Sequence, residues 1–208
     1  MIIQATPYGT KKEEPFAFTY SGDFTDERVD GIGDVTLNTS GQLVTTGQTV
    51  TVSVYILAGG GGAAIADRMS SGSSNYAAAS GGGGGNQTLE VELTPGTYEI
   101  VIGTGGEGRK EYKSSGSITV TGGDGGDTSA FGIISTGGSG GVGQATGTST
   151  SARTYVPGAG GLPNGGTGTG GLKISTSTEY AGGSPNGGSI VGATVNNGGD
   201  GYVRITFS

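Results

Sequence analysis

Apolar and polar residues alternate along several short segments of this chain, and no segment of useful length has helical spacing. The clearest case is 49–56, where valine or isoleucine fills every second position and threonine, serine and tyrosine fill the others. Shorter alternating segments occur at 16–20, 34–38, 88–93, 98–102, 117–120 and 201–207. Strict alternation is typical of strands with one buried face. The pattern therefore predicts an all-β fold with a β-sandwich-like core and no significant helix.

One pair of these strands is predicted to form a hairpin. The segments 88–93 and 98–102 are separated by Thr94-Pro95-Gly96-Thr97. Proline in the second place and glycine in the third are the residues that a type II turn requires. We therefore expect the two segments to pair with each other.

Glycine changes this picture, because it makes up 49 of the 208 residues. Residues 1–58 hold 6 of these glycines and residues 59–208 hold 43. The glycine-rich part is interrupted by strand-like segments, and glycine does not recur at every third position, so neither a flexible linker nor collagen fits. Ordered glycine loses more conformational entropy than any other residue, so something must hold it in place. We expect packed, extended segments with three residues per turn, which is the polyglycine II geometry.

These segments suggest one domain with a short arm. Residues 1–15 are mixed and polar, and we interpret them as an N-terminal arm that docks onto another protein. Residues 16–208 form a single glycine-rich β domain: strand-rich 16–58, glycine-rich 59–201 and a closing strand at 202–207. Neither the first 58 residues nor the last seven have enough apolar surface for a core, so both are expected to share one.

Composition and charge exclude several classes of function. The chain has no Cys, His or Trp, which excludes zinc fingers, thiol nucleophiles, Ser-His-Asp triads and haem ligation. The net charge of −7 disfavours binding to nucleic acid or anionic lipid, and the longest apolar run is five residues, too short for a membrane span. The N-terminus lacks the features of a signal peptide. We therefore expect a complete, unprocessed, soluble, non-enzymatic protein without a cofactor.

Two acidic motifs are candidates for chemical sites. Gly122-Gly-Asp-Gly-Gly-Asp127 resembles one calcium-binding nonapeptide of a β-roll, but it occurs once and Ser129 stands where an apolar residue is expected. A turn with capped backbone is therefore favoured over calcium. Glu90 and Glu92 share one strand face, which is more typical of a solvated face than of a glycosidase pair.

Tyrosine and arginine outside the predicted strands are the better candidates for a binding surface. Both residue types are common anchors of recognition surfaces. The loop 107–115 carries the densest charge of the glycine-rich part and is interpreted as an exposed binding loop. Tyr180 is as well explained by packing over a glycine segment. The candidate receptor-binding residues are Tyr76, Arg109, Lys110, Tyr112, Arg153 and Tyr155, with Arg68 close to the first of them.

Five motifs, in order, resemble the glycine-rich domain of phage and prophage tail proteins. They begin with the aromatic segment 16–25 and continue with a strand that enters the glycine run 59–62. The run 81–85 then leads into the strands around 94–97. The last two motifs are the glycine-aspartate segment 122–132 and the closing segment 198–207. The resemblance covers about residues 16–207.

The resemblance implies a virion protein of a tail fibre or tail tip. Its glycine-rich part is similar to tail-fibre tip adhesins, in which polyglycine II helices support loops that bind the host. The implied partners are other virion proteins, reached through the arm, and a glycan or protein of the host cell surface. The sequence leaves a homo-oligomer open. Two alternatives also stay open: a head decoration or assembly protein without a receptor role, and a bacterial surface or matrix protein.

Overall fold

The regular structure of the protein consists entirely of strands. The computed structural model describes residues 14–70, 73–146, 153–168, 170–173, 187, 190–191 and 194–208, and these residues contain no helix. The all-β class is therefore confirmed for this part of the chain. The strands are β1 (Ala17–Tyr20), β2 (Phe24–Asp26), β3 (Gly33–Leu37), β4 (Gly41–Thr46), β5 (Val50–Leu57), β6 (Ala64–Ser70), β7 (Ser73–Ala79), β8 (Asn86–Leu93), β9 (Gly96–Ile100), β10 (Arg109–Lys113), β11 (Ile118–Thr121), β12 (Thr128–Ala130), β13 (Ile133–Ser135), β14 (Val142–Ala145), β15 (Arg153–Val156), β16 (Gly170–Lys173), β17 (Ile190–Val191), β18 (Thr194–Val195) and β19 (Tyr202–Phe207).

Two antiparallel sheets share the main hydrophobic core, and we call them together the sandwich. One has three strands in the order β1-β4-β9, and the other has five in the order β2-β3-β19-β5-β8. The closing strand β19 lies between β3 and β5, so both ends of the domain meet in one sheet as expected. The inward-facing residues alternate along each strand. The core includes Val35, Leu37, Leu43, Val52, Val54, Ile56, Leu93, Ile100, Val203 and Ile205.

The predicted hairpin between β8 and β9 is wrong. β8 pairs with β5 in the five-stranded sheet, whereas β9 pairs with β4 in the three-stranded sheet. The turn thus carries the chain from one sheet to the facing one. The Tyr98 hydroxyl stabilises this corner, because it accepts from the Thr94 N–H at 3.0 Å and donates to the Thr94 carbonyl at 2.9 Å. Burial of Leu93 and Ile100 in one core requires this crossing, and local turn residues do not reveal it.

A second pair of sheets lies beyond the glycine-rich segments, and we call them the distal sheets. One has the order β10-β6-β7-β16 and the other the order β11-β14-β15. In the first, β10 runs parallel to β6, while β6, β7 and β16 are antiparallel. The two sheets pack through small side chains: Ala64, Ala66 and Ala145 with Ile118 and Val120. Such a core has little of the large-residue alternation that marks the sandwich strands.

Glycine-rich segments connect the sandwich end to the distal sheets, and together we call them the glycine bundle. Four segments run from the sandwich end toward the distal sheets: 58–63, 102–108, 136–141 and 165–168. Four run back: 80–85, 122–127, 157–161 and 196–201. Segments that run in opposite directions are hydrogen-bonded to one another, as are 58–63 and 80–85, and so are segments that run in the same direction, as are 58–63 and 102–108. The bundle is thus a set of alternating crossings between two sheet-forming ends.

Backbone hydrogen bonds of segment 58–63 repeat every three residues. The N–H groups of Ala58 and Gly61 donate to segment 80–85, at Gly85 and Gly82. Those of residues 59 and 62 donate to segment 122–127, and those of residues 60 and 63 donate to segment 196–201. Segment 58–63 also accepts hydrogen bonds: the N–H of Gly106 in segment 102–108 donates to the Gly60 carbonyl, and the N–H of Gly138 in segment 136–141 donates to the Gly59 carbonyl. A helix with three residues per turn places every third N–H on the same side, as this pattern requires.

Close backbone approach explains why this region is made of glycine. A Cβ atom built on Gly61 would overlap the backbone of Ser139, and one built on Gly84 would overlap the backbone of Ala58. Both neighbours are hydrogen-bonded main chain, which cannot swing away as a flexible side chain can. Residues 58–67 and 76–85 are buried throughout. The bundle is therefore stable only because its residues lack side chains at these contacts, whereas the sandwich is stabilised by the packing of large side chains.

We predict that Gly61→Ala destabilises the protein by about 3 kcal/mol or more, because overpacking against fixed backbone cannot relax locally. The matched control is Gly96→Ala, where the nearest atom to a new Cβ is the Thr94 carbonyl oxygen at 3.9 Å. The control is expected to change stability by less than about 1 kcal/mol. Urea unfolding followed by circular dichroism measures both. Equal effects of the two substitutions would contradict the close packing of segment 58–63.

Candidate functional site

All six residues predicted to bind a receptor lie on the distal sheets. Tyr76 is on β7, Arg109, Lys110 and Tyr112 are on β10, and Arg153 and Tyr155 are on β15. β10 and β7 flank β6 in one sheet, and β15 packs against β7 from the other. The fold thus gathers residues that are up to 79 positions apart at one end of the molecule. Tyr180 lies outside the described residues.

The secondary structure predicted around these residues is wrong. The loop 107–115 contains strand β10, and Tyr76, Tyr112 and Tyr155, predicted between strands, all lie within strands. The sequence of β10, Arg-Lys-Glu-Tyr-Lys, has no apolar face that could indicate a strand. The strand forms because its main chain pairs in parallel with β6, in a register that runs from Arg109 opposite Ala64 to Lys113 opposite Arg68. That pairing is long-range and leaves no local pattern in the sequence.

Strand β10 presents the most accessible part of the candidate surface. All five of its residues are exposed, and the Tyr112 side chain is 53% exposed. β10 is also an edge of its sheet. Lysine and other charged residues are typical of exposed edges, where they hinder pairing with another chain. Tyr155 on β15 is 40% exposed. Arg109, Lys110, Tyr112 and Tyr155 can therefore meet a partner directly.

Tyr76 and Arg153 are buried, each 4% exposed, so their side chains do not face a partner. Tyr76 packs in a small cluster with Ala63, Ile65 and Ala78. Arg153 pairs across strands with Ala145, whose side chain belongs to the core between the distal sheets. The interpretation of both as receptor contacts is corrected to a structural role. A lone tyrosine or arginine in a glycine-rich stretch gives no signal that separates the two cases.

A charged cluster lies around these buried residues. Asp67 is 9% exposed, stands opposite Tyr76 on one side and Tyr112 on the other, and its Oδ1 has no hydrogen-bond partner within the described chain. Burial raises the pKa of the Asp67 carboxyl, and the nearby Lys110 and Arg153 oppose that rise. Burial and the charge of Arg68 lower the pKa of Arg153. Desolvation is therefore the largest electrostatic effect in this cluster.

We predict that Asp67→Asn is more stable than the wild type at neutral pH. A carboxyl whose pKa is raised above 3.8 on folding stabilises the fold below that value and loses this contribution as the pH rises through the folded-state pKa. Asparagine removes the charged form and keeps the shape. Thermal melts at pH 4 and pH 8 test this, and the advantage of the variant should shrink at the lower pH. A variant less stable than the wild type at pH 8 would mean that the cations outweigh burial.

The glycine-aspartate motif bridges two segments of the bundle. Asp124 Oδ1 accepts the N–H of Gly140 at 2.8 Å, and Asp127 Oδ1 accepts that of Gly137 at 2.9 Å. Likewise, Asn197 Oδ1 accepts the N–H of Gly108 at 2.8 Å, and Asp200 Oδ1 accepts the N–H of Gly105 at 2.7 Å. In each pair the acceptors are three residues apart, which matches the three-residue turn. Among the described residues no group of acidic side chains is arranged to hold a metal.

We predict that Asp124→Ala and Asp127→Ala each destabilise the protein by about 1–2 kcal/mol, because each leaves one glycine N–H of segment 136–141 without its acceptor. Glu92→Ala is the matched control, since it removes the same charge from an exposed position on β8. Urea unfolding with and without millimolar calcium measures the effect. Stabilisation by calcium that disappears in the two aspartate variants would revive the calcium interpretation.

Sequence reasoning missed a pair of tyrosines on the sandwich. Tyr55 and Tyr202 lie on β5 and β19 with their ring centroids 5.7 Å apart. Alternation places both on the polar side of their strands, which is the outer face of the five-stranded sheet. The alternation is present in the sequence, but the predicted binding residues included only tyrosines outside the predicted strands. Glu90 and Glu92 are exposed, as expected of a solvated face.

No family model matches the chain, and no curated protein matches it. In the described part of the structure no helix could cross a membrane. The candidate surface is therefore interpreted from its own residues.

Proposed function

We propose that this protein is a non-enzymatic structural component of a phage particle, in a tail fibre or tail tip, that presents the distal sheets to the host cell surface. One observation carries the proposal: the four exposed candidate residues all lie on distal strands that the glycine bundle supports, and three of them, Arg109, Lys110 and Tyr112, share the single strand β10. The order of five motifs along the chain, which resembles glycine-rich phage tail domains, supports the same assignment.

The glycine bundle suits the support of a binding surface. β10 continues directly from segment 102–108, whose N–H groups donate to neighbours on several sides. Gly106 donates to Gly60, Gly105 donates to Asp200, and Arg109 at the start of β10 donates to Ala63. The strand is thus anchored in the bundle at its first residue. A binding strand held in this way loses little conformational entropy when it meets a partner, which favours affinity.

The exposed residues of β10 suit a partner with polar groups and an accessible apolar face. Tyr112 offers a rigid amphipathic side chain, and tyrosine and arginine are enriched among residues that dominate binding. Arg109 is oriented by Glu107, whose Oε2 accepts from Arg109 Nε at 3.2 Å. Both side chains of this pair are more than half exposed, so it contributes little to stability and mainly limits where the guanidinium points. We propose a glycan or protein of the host surface as the partner, with the arm 1–15 docking on another virion protein.

Immunogold electron microscopy of particles tests the location. Antibodies against this chain are expected to label the end of the tail. Label on the head would instead favour the decoration or assembly role, and label only on cells without particles would favour a bacterial surface protein. Either of these results would overturn the proposed location.

We predict that Tyr112→Ala weakens binding to host cells by at least about tenfold, as expected for an anchor worth about 2 kcal/mol. Ile134→Ala is the control, since this residue is 59% exposed and belongs to the sandwich end rather than to the distal sheets. Both variants should melt within a few degrees of the wild type. Cell binding measured with fluorescently labelled protein distinguishes them. Equal binding by wild type and Tyr112→Ala would remove β10 from the receptor site.

A further inference from the structure

A groove lies where the outer face of the sandwich meets the glycine bundle. It has a volume of about 480 Å³, within the range of small-molecule sites. The sandwich contributes Tyr55, Leu57, Asn86 and Tyr202, and the bundle side contributes Gly84, Asn164 and Gly166. None of these residues belongs to the distal surface described above. The groove is thus a separate candidate site at the opposite end of the glycine segments.

Two tyrosine rings form the floor of the groove. Tyr202 pairs across strands with Leu57, and Tyr55 pairs with Arg204, so the rings stand on the outward face of β5 and β19. The ring planes are tilted by 42° at a centroid distance of 5.7 Å. Both tyrosines are half-buried, which leaves part of each ring open to a ligand. A tyrosine hydroxyl is protonated at neutral pH and can donate a hydrogen bond, and burial and the neighbouring Tyr202 raise the pKa of Tyr55 further.

Neighbouring polar side chains hold this floor in place. The guanidinium carbon of Arg204 lies 5.4 Å from the centre of the Tyr55 ring. On its other side, Arg204 Nε lies 3.7 Å from Asp34 Oδ2, and Thr206 Oγ1 donates to Asp34 Oδ1 at 2.7 Å. The side chains of Arg204 and Asp34 are partly exposed, so the pair adds little stability. Its effect is to orient Tyr55 while Asp34 offsets the positive charge beside the groove.

Two asparagines form a rim beside this floor: Asn86, which starts β8 and pairs with Leu57, and Asn164, which follows segment 157–161. Asn86 Nδ2 donates to the main-chain carbonyl of Asn164 at 3.2 Å, and Asn164 Nδ2 donates to the main-chain carbonyl of Asn86 at 3.1 Å. This exchange fixes both side chains. Each amide has two N–H groups and one carbonyl oxygen, so each retains a donor and an acceptor after the exchange. The rim therefore offers hydrogen bonds of both kinds without a net charge.

We propose that the groove binds a neutral oligosaccharide, with a sugar ring against Tyr55 and Tyr202 and its hydroxyl groups on Asn86 and Asn164. The electron-rich face of an aromatic ring attracts the slightly positive C–H groups of a sugar. Fixed amides provide both the donors and the acceptors that hydroxyl groups need. The proposal concerns a second binding site and does not depend on the phage location or on β10.

Isothermal titration calorimetry of the full chain with maltotriose, cellotriose, chitotriose and galactobiose tests the proposal. We expect saturable binding of at least one of these sugars with a Kd below about 5 mM. Tyr55→Ala and Tyr202→Ala should each weaken this binding by at least tenfold, while Glu92→Ala, at an exposed position of β8 outside the groove, should leave it unchanged. Absence of binding to all four sugars by the wild type overturns the proposal.

Three further variants keep the test decisive. If either alanine variant fails to fold, Tyr55→Leu or Tyr202→Leu replaces it, because leucine retains apolar volume on the sheet but has no ring face. Tyr202→Phe keeps the ring and should bind within about threefold of the wild type. Binding that survives loss of both rings, or that is lost in Glu92→Ala, places the sugar elsewhere and overturns the proposal. Cell binding that depends on Tyr112 is a separate readout, so failure of either proposal is recognised independently.

Discussion

The structure depends on backbone hydrogen bonds made in three directions by glycine segments. In a sheet, a strand bonds to two neighbours in one plane, whereas segment 58–63 donates to three neighbours and accepts from two more. Only residues without a Cβ allow backbones to approach from all these sides. Within the described residues, eight such segments join the sandwich to the distal sheets, four in each direction. The two ends of the molecule are therefore connected through buried main chain rather than through a conventional hydrophobic core.

This arrangement makes the bundle cooperative. Ordering glycine is entropically expensive, and each net hydrogen bond contributes only about 1 kcal/mol, so the bonds must be made together to stabilise the segments. Removal of one segment would leave buried donors and acceptors unpaired on several neighbours at once, and each unpaired group is costly. The side-chain acceptors Asp124, Asp127, Asn197 and Asp200 complete this pattern, because they accept from glycine N–H groups of segments 102–108 and 136–141. Their three-residue spacing follows from the same geometry.

The sequence predicted the parts of the fold that large alternating residues specify. The strands β5 and β19 were recognisable from valine and isoleucine at every second position, and their placement in a common core followed from the shortage of apolar surface elsewhere. Alternation at 117–120 predicted the distal strand β11, but β6, β7 and β10 were missed, because β6 and β7 bury alanine and β10 has no apolar residue other than Tyr112. The hairpin was wrong since turn residues specify a local bend and not the sheet that receives the next strand. For the candidate site, residue type identified Tyr112 and Tyr155 but could not separate them from the buried Tyr76 and Arg153, because burial here arises from long-range packing.

Close backbone packing in the bundle means that different parts of the molecule differ in how well they tolerate amino-acid substitutions. Within the bundle, a Cβ on Gly61 or Gly84 would meet hydrogen-bonded backbone, so nearly any substitution there displaces a neighbouring segment. On β10 every side chain is exposed, and the strand is held by its main chain, so its side chains can change without loss of pairing. The groove beside Tyr55 and Tyr202 is intermediate, since its floor stands on a sandwich strand while Gly84 and Gly166 of its wall belong to the bundle. Recognition of different partners could therefore change rapidly at β10, whereas the shape of the groove is tied to the glycine packing that carries it.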